Sequence, residues 1–216
     1  MALASPLVLP EAELLLLRHG IAEPREQGRS DAARTLTAAG RRRCAAVLTR
    51  LRQRGLAADR LLSSPLVRAR QTAELAVEAD LAPCLELAEE LAPDGDPLGQ
   101  LASWLGVVPA RSGRRPRLLL VGHEPDLGDL ASALIGAPAG AITLRKSGLA
   151  LLRCGGPAAV DASSCHPDRS DADSSVAEPD DADPETPNGK ARRRPRRLAS
   201  LRLLLTPSLL VGGAEA

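Results

Sequence analysis

Two short runs of consecutive apolar residues organise this chain. Leu14, Leu15, Leu16 and Leu17 form one; Leu118, Leu119, Leu120 and Val121 form the other. Neither run alternates, so each reads as a strand buried on both faces, as in the centre of a parallel sheet. Each ends abruptly, the first at Arg18-His19-Gly20 and the second at Gly122-His123-Glu124-Pro125. A shorter run, Arg60-Leu61-Leu62, ends in Ser63-Ser64-Pro65. Between these strands the apolar spacing changes to that of helices. Cys44, Val47, Leu48 and Leu51 recur at i, i+3, i+4 and i+7, after Thr35 and Thr37 as N-cap hydroxyls and before Gly55. Pro65 is expected in the first turn of a second helix carrying Arg68, Arg70, Thr72, Ala73, Ala76 and Val77. Asp96-Pro97 caps a third, with Leu98, Leu101, Ala102 and Leu105 inward and Gly106 closing it; a fourth covers residues 127–135 before Gly136. Residues 85–87 suit an edge strand, and residues 149–153 and 199–205 a closing pair. Strands alternating with helices give an α/β fold: three layers, α/β/α, around a mostly parallel sheet with helices on both faces.

Between the closing strands the pattern stops. Residues 155–188 are rich in Asp, Ser, Ala and Pro, and residues 190–197 carry six cations. Such a stretch cannot bury enough apolar surface to offset its ordering entropy. The reading is therefore a single folded domain, residues 1–154 plus 198–210, interrupted by a disordered acidic-then-basic insert at 155–197. Lengthening a hairpin loop from about 4 to about 45 residues costs roughly 2 kcal/mol by logarithmic loop closure. One buried leucine returns about 1.5–3 kcal/mol, and the last strand offers Leu201, Leu203, Leu204 and Leu205.

Composition narrows the function. Phe and Tyr are absent and Trp104 stands alone, which weighs against base-stacking nucleic-acid modules, since these need aromatic platforms. The net charge of +1 gives no global field. Cys44, Cys84, Cys154 and Cys165 lack paired spacing and read as buried free thiols of a reducing compartment. The start of the chain carries no positive n-region, and the leucine run is too short to span a bilayer. The expectation is a cytoplasmic monomer without nucleic-acid or membrane partners.

Only three histidines exist, and two of them, His19 and His123, end separate strands beside a glycine. The carboxyl ends of parallel strands are where open α/β sheets bind ligands. Gly20 would allow a sharp turn or a close approach by substrate. Arg68 falls in the first turn of a helix, whose N-terminus attracts anions, whereas Arg70 points elsewhere. A metal would be repelled by the neighbouring arginines, so no metal ligand set is expected. Two imidazoles with two or more arginines instead describe a phosphoryl site. Arginines neutralise the oxygens, one imidazole attacks phosphorus, and the other donates a hydrogen bond. The arginines also lower the pKa of His19, leaving it neutral and able to attack.

Arg18-His19-Gly20, the block from Ser63 to Thr72, and Gly122-His123 resemble the histidine phosphatase superfamily. Residues 34–40 and 121–125 are similar, more narrowly, to the SixA-type phosphohistidine phosphatases; the likeness runs in order from about Glu13 to Arg153. The resemblance implies His19 as nucleophile, Arg18, Arg34 and Arg68 on the phosphoryl group, and His123 completing the pocket, with no cofactor. It also implies a carboxylate general acid, for which Glu90 is the nearest counterpart and Glu124 a poorer one. The expected activity is a phosphatase acting through a phosphohistidine intermediate on phosphohistidine of a signalling protein, such as a phosphotransfer domain. The alternatives are a sugar-phosphate phosphatase or mutase, and a non-catalytic module binding phosphorylated partners. Segments 21–31 and 85–97 are short, leaving little for a lid, so an open, shallow pocket is expected.

Overall fold

The computed structural model of the chain describes residues 8–28, 30–109, 113–155 and 197–211. The insert expected at 155–197, with Cys165 and His166, lies almost wholly outside these residues. Six strands form one sheet: β1 (Ala12–Arg18), β2 (Arg60–Ser63), β3 (Glu86–Leu87), β4 (Arg117–Gly122), β5 (Leu149–Cys154) and β6 (Ala199–Leu205). Their order is β3-β2-β4-β1-β5-β6. The first four in that order run parallel, β5 joins antiparallel to β1, and β6 pairs antiparallel to β5. The helices are α1 (Ala38–Gln53), α2 (Val67–Glu78), α3 (Pro97–Gly106), α4 (Asp126–Leu134) and a short α5 (Pro207–Val211) that sequence patterning did not reveal.

The leucine runs are central because both of their faces are covered. Side chains alternate across a strand, and the two helical layers divide them. Leu14 and Leu16 of β1 and Leu118 and Leu120 of β4 pack with Leu101 and Leu105 of α3 and Leu127, Leu130 and Leu134 of α4. Leu15, Leu17, Leu119 and Val121 pack with Cys44, Val47, Leu48 and Leu51 of α1, Ala69, Ala73 and Ala76 of α2 and Leu210 of α5. The three-layer expectation is met, and the predicted stripe of α1 is wholly buried.

The predicted caps also form. Thr37 Oγ1 accepts the Gly40 N–H at 2.9 Å, and Asp96 Oδ1 accepts that of Gly99 at 3.0 Å. Pro65, however, lies outside α2, whose N-cap is Leu66; the turn at Ser64 delays the helix by two residues and still leaves Arg68 in its first turn. Cys44 and Cys154 are buried free thiols, but Cys84 is exposed in the connection from α2 to β3. Gly20 is not a turn glycine: a Cβ there would meet Leu36 Cδ2 at 3.2 Å and Cys44 Cβ at 3.5 Å. Its missing side chain lets the chain leaving β1 lie against α1. Among the described residues no helix is long and apolar enough to cross a membrane.

Candidate active site

Three strand ends converge. The register pairs Arg18 with Gly122 and Ser63 with Val121, so one step past the strands residue 19 stands beside 123, and 64 beside 122, the residue before 123. Two further ladder bonds extend to them: His19 N–H to Gly122 O at 3.1 Å and Ser64 N–H to Val121 O at 2.9 Å. The imidazole rings lie 5.1 Å apart and tilted by 55°. The chain entering β5 closes the other side of β1, where Ser147 N–H reaches the carbonyls of Arg18 and His19.

The hydrogen bonds of His19 define its protonation. Nδ1 lies 2.7 Å from the Gly20 carbonyl, which can only accept, so Nδ1 bears the proton. Arg68 Nε donates to Nε2 at 3.3 Å, so Nε2 presents a lone pair. Burial is the main reason that the pKa of His19 is lowered to about 3; the Gly20 carbonyl opposes the shift, and His123, Arg68 and Arg18 add to it. Neutral His19 with its Nε2 lone pair toward Arg68 is a poised nucleophile.

His123 is held by a directional chain. Leu66 N–H donates to Ser64 Oγ at 3.3 Å, and Ser64 Oγ lies 2.8 Å from His123 Nε2. Ser64 Oγ can in this geometry donate to Nε2, which leaves the imidazole proton on Nδ1, a buried atom with no hydrogen-bond partner among the described residues. Burial, then Arg68, lowers the pKa of His123 to about 4. A neutral imidazole with an uncommitted N–H can donate to an anionic oxygen.

The two histidines and Arg18, Arg34 and Arg68 line one cavity of about 620 Å³, with Ala22, Arg25, Glu26, Asp31, Pro93, Asp94, Glu124, Pro125, Asp126 and Lys146. Arg18 reaches it from β1, its Nη1 donating to Leu144 O at 2.8 Å. Arg68 reaches it from α2. Thr72, one turn on, accepts the Gly20 N–H at 3.1 Å and donates to Arg68 O at 2.8 Å, which locks α2 to the chain leaving β1. Arg34 anchors by Nη1 to Glu23 O at 2.8 Å. Arg70 is turned outward to Glu74.

Glu90 is not in the cavity lining. The one-turn 3-10 helix Glu89–Leu91 buries Leu91 in the core, and the tight return at Gly95, where a Cβ would sit 2.3 Å from Glu90 O, carries Pro93 and Asp94 to the rim instead. Glu124 does line the cavity. Its Oε1 accepts the Leu144 N–H at 3.1 Å, and burial raises its pKa despite that bond and Arg18. Sequence reading also passed over Asp31, whose carboxylate lies within 3.0 Å of both Arg34 and Arg68; the only advance sign was its spacing of three residues from Arg34. Segments 21–31 and 85–97 supply part of the walls: Ala22, Arg25, Glu26 and Asp31 from the first, and Pro93 and Asp94 from the second.

Comparison with known proteins agrees with this arrangement. The family model for the histidine phosphatase superfamily (branch 1) matches residues 14–92. An uncharacterized protein of Picosynechococcus sp. is 42% identical over 144 residues, 66% of this chain and 86% of that protein. A structure from Agrobacterium tumefaciens assigned as a phosphohistidine phosphatase SixA aligns with TM-score 0.55 and 25% identity, over 66% of this chain and 91% of that one. The protein histidine phosphatase SixA complexed with tungstate shares the fold at TM-score 0.62 and 21% identity, over 92% and 99%. A mycobacterial glucosyl-3-phosphoglycerate phosphatase shares it at 0.52 and 19%, over 67% and 91%. Strand-end imidazoles 5.1 Å apart, arginines from three elements and these likenesses agree: the chain belongs to the histidine phosphatase superfamily.

Proposed function

We propose that this phosphatase hydrolyses phosphohistidine on a protein, through a phosphoryl group carried transiently on His19. The Nε2 lone pair of His19 attacks phosphorus, forming a new P–N bond as the bond to the substrate's imidazole breaks. The departing nitrogen takes a proton. Glu124, with its raised pKa, is better placed to supply it than Glu90, which is outside the cavity. Water then attacks the phosphohistidine, releasing phosphate and returning His19 to its neutral form. Arg18, Arg34 and Arg68 balance the oxygens' charge, and His123, with its proton on Nδ1, donates beside them.

One observation carries the substrate class. Apart from Ala22, Pro93 and Pro125, every residue lining the cavity is charged or is a histidine. Only those three small side chains offer a carbon skeleton a wholly apolar contact, while the rim residues Arg25, Glu26, Asp94 and Lys146 are exposed. That suits a phosphoryl group presented on a protruding side chain. The volume of about 620 Å³ favours a second reading, a small phosphate ester whose hydroxyls bond to the charged walls. Phosphate release at equal low concentration from a phosphohistidine phosphotransfer domain, 3-phosphoglycerate, fructose bisphosphate and a phosphoserine peptide separates the two, with His19→Ala as blank. The phosphoprotein should be fastest. A tenfold preference for either sugar-derived substrate moves the chain to small-molecule chemistry, and binding without release from any of them makes it a recognition module.

A further inference from the structure

Arg68 has five N–H donors in a fixed fork, and the structure shows how three of them are used. Nη1 donates to the backbone carbonyl of Asp31 at 2.8 Å, and Nη2 pairs with Asp31 Oδ2 at 3.0 Å. The tip of the fork is thus held by one residue. Its side edge, where Nε lies, faces His19 Nε2 at 3.3 Å, the atom that attacks phosphorus in the function proposed above. The other carboxylate oxygen, Oδ1, lies 2.9 Å from Arg34 Nε and 2.9 Å from Arg25 Nε.

We propose that Asp31 is a positioning residue: its carboxylate and carbonyl hold Arg68 by the tip and yoke Arg34 beside it, so that the side edge of Arg68 is presented to the phosphoryl group at His19. Asp31 touches neither His19 nor a reacting atom and acts through the two arginines. It stands in the one-turn helix Asp31–Ala33, none of whose residues is buried, so packing does not explain its placement. Burial alone would raise its pKa, but Arg68, Arg34 and Arg25 outweigh burial and hold the carboxyl below its ordinary value. The yoke therefore stays charged at neutral pH.

Charge and position make opposite predictions, which gives a decisive sign. Deleting a negative charge from an anion site should tighten anion binding if Asp31 only offsets the arginines, and should weaken it if Asp31 orients them. The test is a double-mutant cycle on the full chain, reading the tungstate dissociation constant by calorimetry and kcat on phosphoramidate. Asp31→Asn should weaken tungstate at least tenfold and lower kcat by a similar factor, while KM moves less than threefold. In an Arg68→Ala background the same substitution should change both quantities by a clearly smaller factor, because only the hold on Arg34 is then left to lose. Asp31→Glu, which keeps the charge, should retain more tungstate affinity than Asp31→Asn and provides the same comparison should the asparagine chain not fold. Tighter tungstate binding in Asp31→Asn, or equal factors in both backgrounds, would overturn the inference alone. An Arg68→Ala chain as active as the wild type would refute the role given to Arg68 and the inference with it.

Discussion

Two imidazoles kept neutral inside the protein make its stability depend on acid in a calculable way. His19 and His123 have an ordinary pKa of 6.5 and titrate in the fold at about 3 and about 4. Because the folded values are depressed, the unfolded chain binds protons first as pH falls. Stability is therefore full above pH 6.5 and declines toward pH 4. Proton linkage gives a loss of about 3 kcal/mol from each ring between pH 7 and pH 4. Together that rivals the stability of an ordinary domain, about 5–15 kcal/mol. The measurement is urea unfolding at pH 7, 5.5 and 4, comparing wild type with His19→Gln. Carboxylates such as Asp31 lose stability in the same direction, but they are common to both chains and cancel in the difference. The variant should lose about 3 kcal/mol less than wild type across that range, and slightly more than that if His123 titrates nearer its ordinary value once its neighbour is gone. Curves that fall in parallel, within about 0.5 kcal/mol, would mean that His19 is protonated in the fold near neutrality, contrary to its contacts with Gly20 and Arg68.

Other expectations follow from the same geometry. His123→Ala and Arg68→Ala should each lower kcat by about 10²–10³, the loss expected for one charge-stabilising donor, measured by phosphate release. Gly40→Ala should destabilise by roughly 1–3 kcal/mol or more by thermal denaturation, because its Cβ would fall 2.1 Å from the Ile21 carbonyl and force α1 away from the chain leaving β1. If residues 1–154 and 198–210 form the catalytic domain, replacing 158–195 by a short Gly-Ser turn should leave turnover intact and raise stability by about 1–2 kcal/mol; a folded but inactive product would assign the removed segment a part in the site or in docking.

Most of the scaffold was legible because it is built from periodicity. Unbroken leucine runs could only be central strands, and the α1 stripe could only face a core. His19 and His123 were legible for the same reason, as polar residues at which such runs stop. What escaped notice is set by packing in three dimensions. Gly20 was read as conformational freedom, whereas it accommodates Leu36 and Cys44, residues that nothing in the local sequence brings near. Glu90 was chosen by its place in a motif, but a single helical turn and the return at Gly95 carry Asp94 to the rim instead. Asp31 sits in a stretch with no period at all. Its importance lies in which side chains converge on it, and such convergence is written only in the fold.

The reversed direction of β5 has a practical consequence. Its first residue, Leu149, pairs with Leu17 beside the chemistry, and its last, Cys154, pairs with Ala12 at the other end of β1. β6 begins at that remote end too, with Ala199 opposite Cys154. The hairpin therefore opens at the pole of the sheet farthest from His19. Additions to the chain at this point leave β1, β2 and β4 in register and the three strand ends undisturbed. The same opening is the natural port for grafting a reporter, an affinity handle or a second catalytic module onto this phosphatase, since both attachment points lie side by side and away from the reacting groups.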